Sequence, residues 1–286
     1  MPEKSIISIA TESEILSLSK LFFETYNNRE LSHQELRWRY LQNPEKDDSF
    51  IGNVVAKAGS NILGHTGIVP ATFQLDNKPC IKAGLSVGSM VSKSSPGLYP
   101  LLLHYMIGNL TNNKFDLIYC FPNENSYPFY KKLFGFKQGF FGLLTIEAEK
   151  LLNVHTNSEL NLGNRIIKYF SQSYIDWRFS TFQKCLSIES DRLRIYYKQY
   201  QQDQCDILSI ESLENLRFPM QEVLVLLKSL NNFKTFNFLT TDSEIHKVFC
   251  SVGFIKKNIS NKFVYLWLNE KQACSNFSLQ MSDNDW

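Results

Sequence analysis

The chain lacks paired cysteines, long apolar runs and any marked imbalance of charge. Its six cysteines (Cys80, Cys120, Cys185, Cys205, Cys250 and Cys274) are scattered, with no Cys-x-x-Cys pair. A zinc centre or dithiol redox motif is therefore not expected, and no other metal site is. The cysteines read as reduced thiols of a cytoplasmic protein. No apolar run approaches the length of a membrane span. The opening segment MPEKSIISIATESE has no apolar core of signal-peptide type. No membrane partner and a cytoplasmic location are expected. Thirty basic against 28 acidic side chains leave a net charge of +2. That gives no broad positive field, so no nucleic-acid partner is expected. What is present is core material: 43% of residues are hydrophobic and 14% aromatic, including 22 Phe and 13 Tyr. Disorder as the main state is excluded, and 286 residues suit about two domains.

The first 147 residues read as mixed α/β. Lys4–Ala10 is a short strand. Thr11-x-x-Glu14 is a capping-box pattern before the periodic run Ile15, Leu16, Leu18, Leu21, Phe22. A second box, Ser32-x-x-Glu35, opens a helix through Trp38, Arg39 and Tyr40, which Asn43-Pro44 stops. Extended segments follow at Ile51–Ala58, Ile62–Leu75 and Cys80–Val91, with turns at Gly59-Ser60-Asn61 and Asp76-Asn77. After the polar loop Ser92–Gly97 come a helix over Leu98–Asn109, a β-rich run Phe115–Phe121 and a helix over Ser126–Phe134 ended by Gly135. A pair of strands fills Phe136–Ile146.

The second half echoes this order. Pro100 and the apolar run after it, Phe115–Phe121, and Gly135-Phe136 find counterparts at Pro219, Phe233–Leu239 and Gly253-Phe254. Trp38-Arg39-Tyr40 has an echo at Trp177-Arg178-Phe179. Duplication of one supersecondary unit explains the pattern. Chance likeness of amphipathic helix–strand units is the plainer alternative.

The segment FDLIYCFPNENSYPFYKKLFGF at Phe115–Phe136 runs from a buried strand through Pro122-Asn123 into a helix bearing Phe129 and Tyr130. With the loop Ser94–Gly97 and the helix after it, this order resembles the GNAT superfamily of acyl-CoA-dependent N-acyltransferases. The resemblance is good over residues 4–147 and weak over 170–268. Trp38–Pro44, Gly64-His65 and Phe121-Pro122-Asn123 are similar to segments of the members that acylate nucleotide-linked 3-amino-3,6-dideoxyhexoses.

The resemblance implies acyl-CoA as co-substrate, with no permanently bound cofactor, and the following roles. The family's pyrophosphate loop falls on Ser92–Tyr99, so Ser94, Ser95, Gly97, Leu98 and Tyr99 are donor-binding candidates. Gly97 is the glycine that matches; Ser94 stands where Arg or Gln is usual and Ser95 where a glycine is. Backbone N–H groups at a helix N-terminus still bind phosphate, but Pro96 has none to offer. Asn123 either bonds the pantetheine chain or fixes the turn, and Phe129 lies beside it. Tyr130 matches the tyrosine that protonates the leaving thiolate. Its interval to Gly135 is one residue longer than the commonest family spacing, so a tyrosine rotated from its usual direction is expected. A strand N–H at Met90 or Val91 would stabilise the oxyanion. His65 is the candidate base, or else a structural hydrogen-bonder; Glu24 and His33 are weaker candidates. Trp38, Arg39 and Tyr40 either hold a nucleotide by stacking and bidentate phosphate contact or pack the helix onto the core. Lys131-Lys132 is a solvated helix face.

The expectation is thus an α/β protein of tandem GNAT-like lobes, each a mixed, mostly antiparallel sheet flanked by helices. Residues 1–147 form the acyl-CoA lobe. Residues 148–286 form a degenerate lobe with a short polar tail, shaping the acceptor side or the contact of a homodimer. The expected activity is acyl transfer from acyl-CoA to the amine of a nucleotide-linked amino-deoxy sugar in surface polysaccharide biosynthesis. Two rivals stand beside it: an aminoacyl transferase of the peptidoglycan-bridge type, and a non-catalytic binding protein. No heptad-patterned arm of the first rival's kind is visible; the altered Ser94-Ser95 loop is the best support for the second.

Overall fold

A computed structural model describes residues 5–26, 31–46, 52–75, 78–161, 165–179, 184–213, 217–269 and 277–280. The expected turn at Asp76-Asn77, the strand ends Lys4 and Ile51, Cys274 and residues 281–286 of the polar tail lie outside them.

The first half supplies β1 (Ile6–Ile9), β2 (Asn53–Ala58), β3 (Asn61–Leu75), β4 (Lys78–Val91), β5 (Leu117–Cys120), β6 (Lys137–Gln138) and β7 (Gly142–Glu147). The second supplies β8 (Glu159–Asn161), β9 (Ile166–Lys168), β10 (Leu186–Glu189), β11 (Leu193–Gln201) and β12 (Gln204–Ser212). It continues with β13 (Arg217–Pro219), β14 (Thr235–Thr240), β15 (Ile255–Lys257), β16 (Val264–Trp267) and β17 (Phe277–Ser278).

One sheet runs β1-β2-β3-β4-β5-β16-β6, with β9 and β17 attached beside β3. The other runs β10-β11-β12-β14-β7-β15. The main path of both follows one plan: an antiparallel ladder, a parallel pair (β4 with β5, β12 with β14), one inserted strand, and a short edge strand; the attached β17 adds a second parallel pair, with β9, to the first sheet. In each lobe the inserted strand comes from the other half of the chain. β7 pairs with β14 and β15, and β16 pairs with β5 and β6.

The two strands expected in Phe136–Ile146 are β6 and β7, and they belong to different sheets. Leu144 and Ile146 of β7 are buried in the second lobe's core with Phe236 and Phe238, which rewards the crossing. At the crossover the Gly139 N–H donates to the Phe263 carbonyl at 3.1 Å. A Cβ on Gly139 would lie 2.4 Å from the Phe263 ring, so only glycine allows so close an approach.

Local signals act where expected. Thr11 N–H donates to Glu14 Oε2 at 2.8 Å and Glu14 N–H to Thr11 Oγ1 at 3.3 Å, completing the capping box. Ser32 caps helix His33–Tyr40 through the Glu35 N–H, and Ser171 caps helix Gln172–Arg178 through the Tyr174 N–H. The interval between these caps equals that between Trp38 and Trp177. Those two indoles stack with centroids 5.3 Å apart. Each Nε1–H donates to the other's main-chain carbonyl, at 3.0 and 2.9 Å. The reciprocal pair marks an approximate two-fold axis between the lobes. The first lobe's core also takes in Tyr174, Trp177, Tyr265 and Phe277 from the second half, so the two lobes share one seam.

Candidate active site

The site lies where β4 and β5 part. Their parallel register covers Ala83↔Leu117, Gly84↔Ile118 and Leu85↔Tyr119, and then stops. β4 continues to Val91 beside β3 alone. Its ladder with β3 passes from Gly67↔Val87 to His65↔Met90. Gly88 and Ser89 thus oppose the single residue Thr66, a β-bulge that bends the strand. Gly88 sits at φ +59°, and a Cβ there would fall 2.4 Å from the Tyr40 hydroxyl. Only glycine tolerates that backbone and that contact.

The parted strands enclose a wedge-shaped cleft of about 290 Å³. Its walls are the β4 edge Leu85–Ser89, the β5 end Cys120–Asn123, Ser126 from the turn after it, and Tyr99 and Tyr130 from the helices. Among the described residues the lining holds no carboxylate, histidine, lysine or arginine.

Tyr130 reaches into this wedge. Its hydroxyl is buried and lies 3.0 Å from Ser86 Oγ on β4. Burial pushes its pKa well above the usual phenol value, helped by the neighbouring Tyr99 and Cys120. The longer spacing to Gly135 does not rotate it away. Phe129–Leu133 form a π-helical turn, which absorbs one extra residue in a helix. The Phe136 N–H then closes onto the Tyr130 carbonyl at 3.1 Å.

Asn123 takes the turn-fixing alternative. Its Oδ1 accepts from the N–H groups of Asn125 and Ser126 and from Ser126 Oγ, at 3.0 to 3.1 Å. It still borders the wedge. Phe129 packs edge-on against Tyr99, 5.2 Å between centroids, behind the lining.

The loop from Ser92 to Gly97 is a pair of turns. Ser95 N–H donates to Ser92 O, and Leu98 N–H to Ser95 O. Ser94 Oγ is bonded to Ser92 Oγ at 2.9 Å. Helix Leu98–Asn112 follows, with Gly97 as its N-cap. Pro96 and Pro100 offer no N–H, so the N–H groups of Lys93 and Gly97 are the ones left without an internal partner among the described residues. A Cβ on Gly97 would meet nothing within 4 Å, so the approach to its backbone is open. Lys93 is the loop's cation.

Four expectations are corrected by position. Met90 and Val91 pair with His65 and Gly64 and do not line the wedge; the free β4 edge begins at Ser86. His65 is fully buried, with Nδ1 2.9 Å from Gly88 O and Nε2 2.8 Å from the Asn53 amide. Gly88 O can only accept, so Nδ1 carries the proton and Nε2 must accept from an Asn53 amide turned end for end. Both ring nitrogens are thereby used, and burial lowers the pKa to about 4. His65 is a structural hydrogen-bonder of the bulge, not a base in the cleft. Trp38 and Tyr40 are interior, Trp38 against Trp177 and Tyr40 edge-on to His65 at 5.3 Å, and Arg39 is buried beside Glu35. They pack the helix and leave no face for a nucleotide. Glu24 is exposed on helix Leu18–Thr25 and does not line the wedge; His33 borders a separate surface hollow.

Sequence reasoning missed Tyr26, Ser86, Gly88, Ser89, Cys120, Ser126 and Asn261 in the lining. Gly88 had a signal, since an isolated glycine within a strand pattern marks a bulge. Asn261 had none, because it arrives with the exchanged strand β16.

No family model and no curated protein matches the chain. Solved structures do. A probable N-acyltransferase from Enterococcus faecalis, described as of unknown function, has a TM-score of 0.69 at 11% identity, covering 93% of this chain and 73% of its own. A GCN5-related N-acetyltransferase from Kribbella flavida has a TM-score of 0.67 at 8% identity, covering 93% and 71%. Eis1 from Mycobacterium abscessus has a TM-score of 0.60 at 8% identity, covering 93% and 74%. The chain shares their fold, a mixed α/β architecture of two sheets flanked by helices.

Proposed function

We propose that the chain is an N-acyltransferase that takes its acyl group from acyl-CoA and passes it to an amine. The observation that carries this reading is the open wedge between β4 and β5 with the Tyr130 hydroxyl inside it. An extended pantetheine arm fits between the parted strands, using backbone groups that neither strand spends on the other. The pyrophosphate would meet the loop at Lys93 and Gly97.

The amine attacks the thioester carbonyl carbon, and the π bond's electrons move to oxygen. N–H groups of the free β4 edge at Ser86–Ser89 face the developing oxyanion. As the intermediate collapses, the C–S bond breaks and the thiolate leaves. A thiol has a pKa near 8.5 and the buried Tyr130 phenol lies well above 10, so full proton transfer to sulfur is uphill. Tyr130 therefore acts as a hydrogen-bond donor to the departing sulfur, oriented by Ser86. The amine's proton goes to water, since no base lines the wedge among the described residues.

The acceptor we propose is the amine of a nucleotide-linked amino-deoxy sugar. Its support is the resemblance carried by Trp38–Pro44, Gly64-His65 and Phe121–Asn123. A mass-spectrometric screen of acyl-CoAs against nucleotide amino sugars and simple amines tests it: products only with non-sugar amines would replace the acceptor, and none at all would overturn the activity. The non-catalytic reading is favoured by the altered loop, with Ser94 and Ser95 where the resemblance implies other residues and with Pro96 lacking an N–H. A ligand that binds only the folded state raises the melting temperature, so no shift with millimolar CoA would favour the non-catalytic reading, and a shift without turnover would leave a CoA-binding protein that transfers nothing.

A further inference from the structure

The second lobe has its own wedge. β12 and β14 stay in parallel register from Gln204↔Thr235 to Ile207↔Phe238, then part. Here the gap is filled by the chain itself. Gln280 forms an antiparallel bridge with Thr240, and the Thr241 N–H donates to the Leu279 carbonyl at 3.1 Å. Across the gap, Gln280 Oε1 accepts from the Ile210 N–H at 2.7 Å and its Nε2 donates to the Ile210 carbonyl at 3.1 Å. One carboxamide thus satisfies both main-chain groups of a residue on the parted edge, as a peptide or any secondary amide would. Phe277 and Leu279, buried in the first lobe's core, hold the segment there.

We propose that this second wedge is a latent binding site for an extended, amide-bearing ligand of the pantetheine class, and that Gln280 is its built-in occupant. The inference rests on reading the first wedge as the seat of a pantetheine arm. The ligand class is the arm without its pyrophosphate. The stretch that follows β12, Leu213–Pro219, holds no glycine of the kind a phosphate loop uses.

The test counts D-pantetheine bound to the full-length protein by native mass spectrometry, comparing wild type with Gln280→Gly. Exchange of the Ile210 amide hydrogen is measured in both. The expected result is one more ligand on the variant than on wild type, with the Ile210 amide exchanging about tenfold faster in the free variant and slowed again by ligand. Equal ligand counts in two folded proteins, or unchanged Ile210 exchange, would overturn the proposal. Should the glycine variant not fold, Gln280→Met keeps the side-chain length and removes both hydrogen bonds, and is read the same way. The difference between the proteins judges the plug. A wild type that binds no pantetheine speaks only against the reading of the first wedge.

Discussion

Two clefts built on one strand plan have come to opposite states. In the first lobe the strands part at Leu85 and Tyr119 and leave about 290 Å³ open, with Tyr130 inside. In the second they part at Ile207 and Phe238 and close on Gln280. The strand order alone therefore does not make a site. The first lobe adds a glycine bulge at positive φ, a tyrosine hydroxyl and an open turn before its helix. The second has no glycine in β12, and its helix Ser243–Ser251 carries no tyrosine. That helix buries Phe249 instead, stacked on Phe238 at 4.4 Å. Its Asp242 cap repeats the turn chemistry of Asn123 by accepting from Glu244 and Ile245 N–H. Both lobes carry a side-chain-capped turn, while among the described residues the buried tyrosine hydroxyl bordering an open cleft is in the first.

The contrast breaks hardest at the bulge. Gly88→Ala forces a side chain into positive φ and into the Tyr40 hydroxyl, and is expected to cost about 3–4 kcal/mol, read by chemical denaturation. A loss under about 1 kcal/mol would mean that the bulge relaxes freely. Next is acid. His65 is held neutral, its pKa lowered from 6.5 to about 4 by burial, while in the unfolded chain it titrates normally. Between those values the unfolded state binds the extra proton. Stability from this group is thus complete above pH 6.5 and lost as the pH falls through 4, by about 3 kcal/mol in all. His65→Gln should flatten that part of the stability-against-pH curve. The same substitution should leave the pH profile of turnover unmoved, because turnover is expected to follow the acceptor amine's own ionisation.

Chemistry sharpens the contrast further. Tyr130→Phe should lower kcat about a hundredfold with little change in the KM for acyl-CoA, since the role proposed for the hydroxyl is at the departing sulfur. Full turnover across neutral to alkaline pH would remove Tyr130 from the mechanism. The smallest effect is expected at Gly97→Val. Nothing within 4 Å of its Cβ resists the change, so the fold should hold while CoA affinity falls about tenfold by calorimetry. Unchanged affinity would move the phosphates elsewhere.

Much of the first lobe was readable from short stretches of chain. Capping at Thr11 and Ser32, the helix after Gly97, the turn at Asn123 and the tyrosine after it depend on neighbours a few residues away. The longer interval to Gly135 was readable too, though not its outcome as a π-turn. What could not be read depends on partners 70 or more residues distant. The fate of Trp38 needs Trp177, the strand beside β5 comes from Val264–Trp267, and the plug at Ile210 comes from Gln280. His65 illustrates the limit within one lobe: residue type suggested a base, and burial under the bulge made it a strut.

Residue order alone settled much of the first half's local grammar: which segments there are strands or helices and where they are capped. Folding in three dimensions decided which copy works as a cleft. Hydrogen-bonding edges and apolar faces are satisfied by whatever surface reaches them, and that surface is set by the exchange of strands between lobes. A carboxamide from the far end of the chain can fill one gap, while its twin stays open to a ligand.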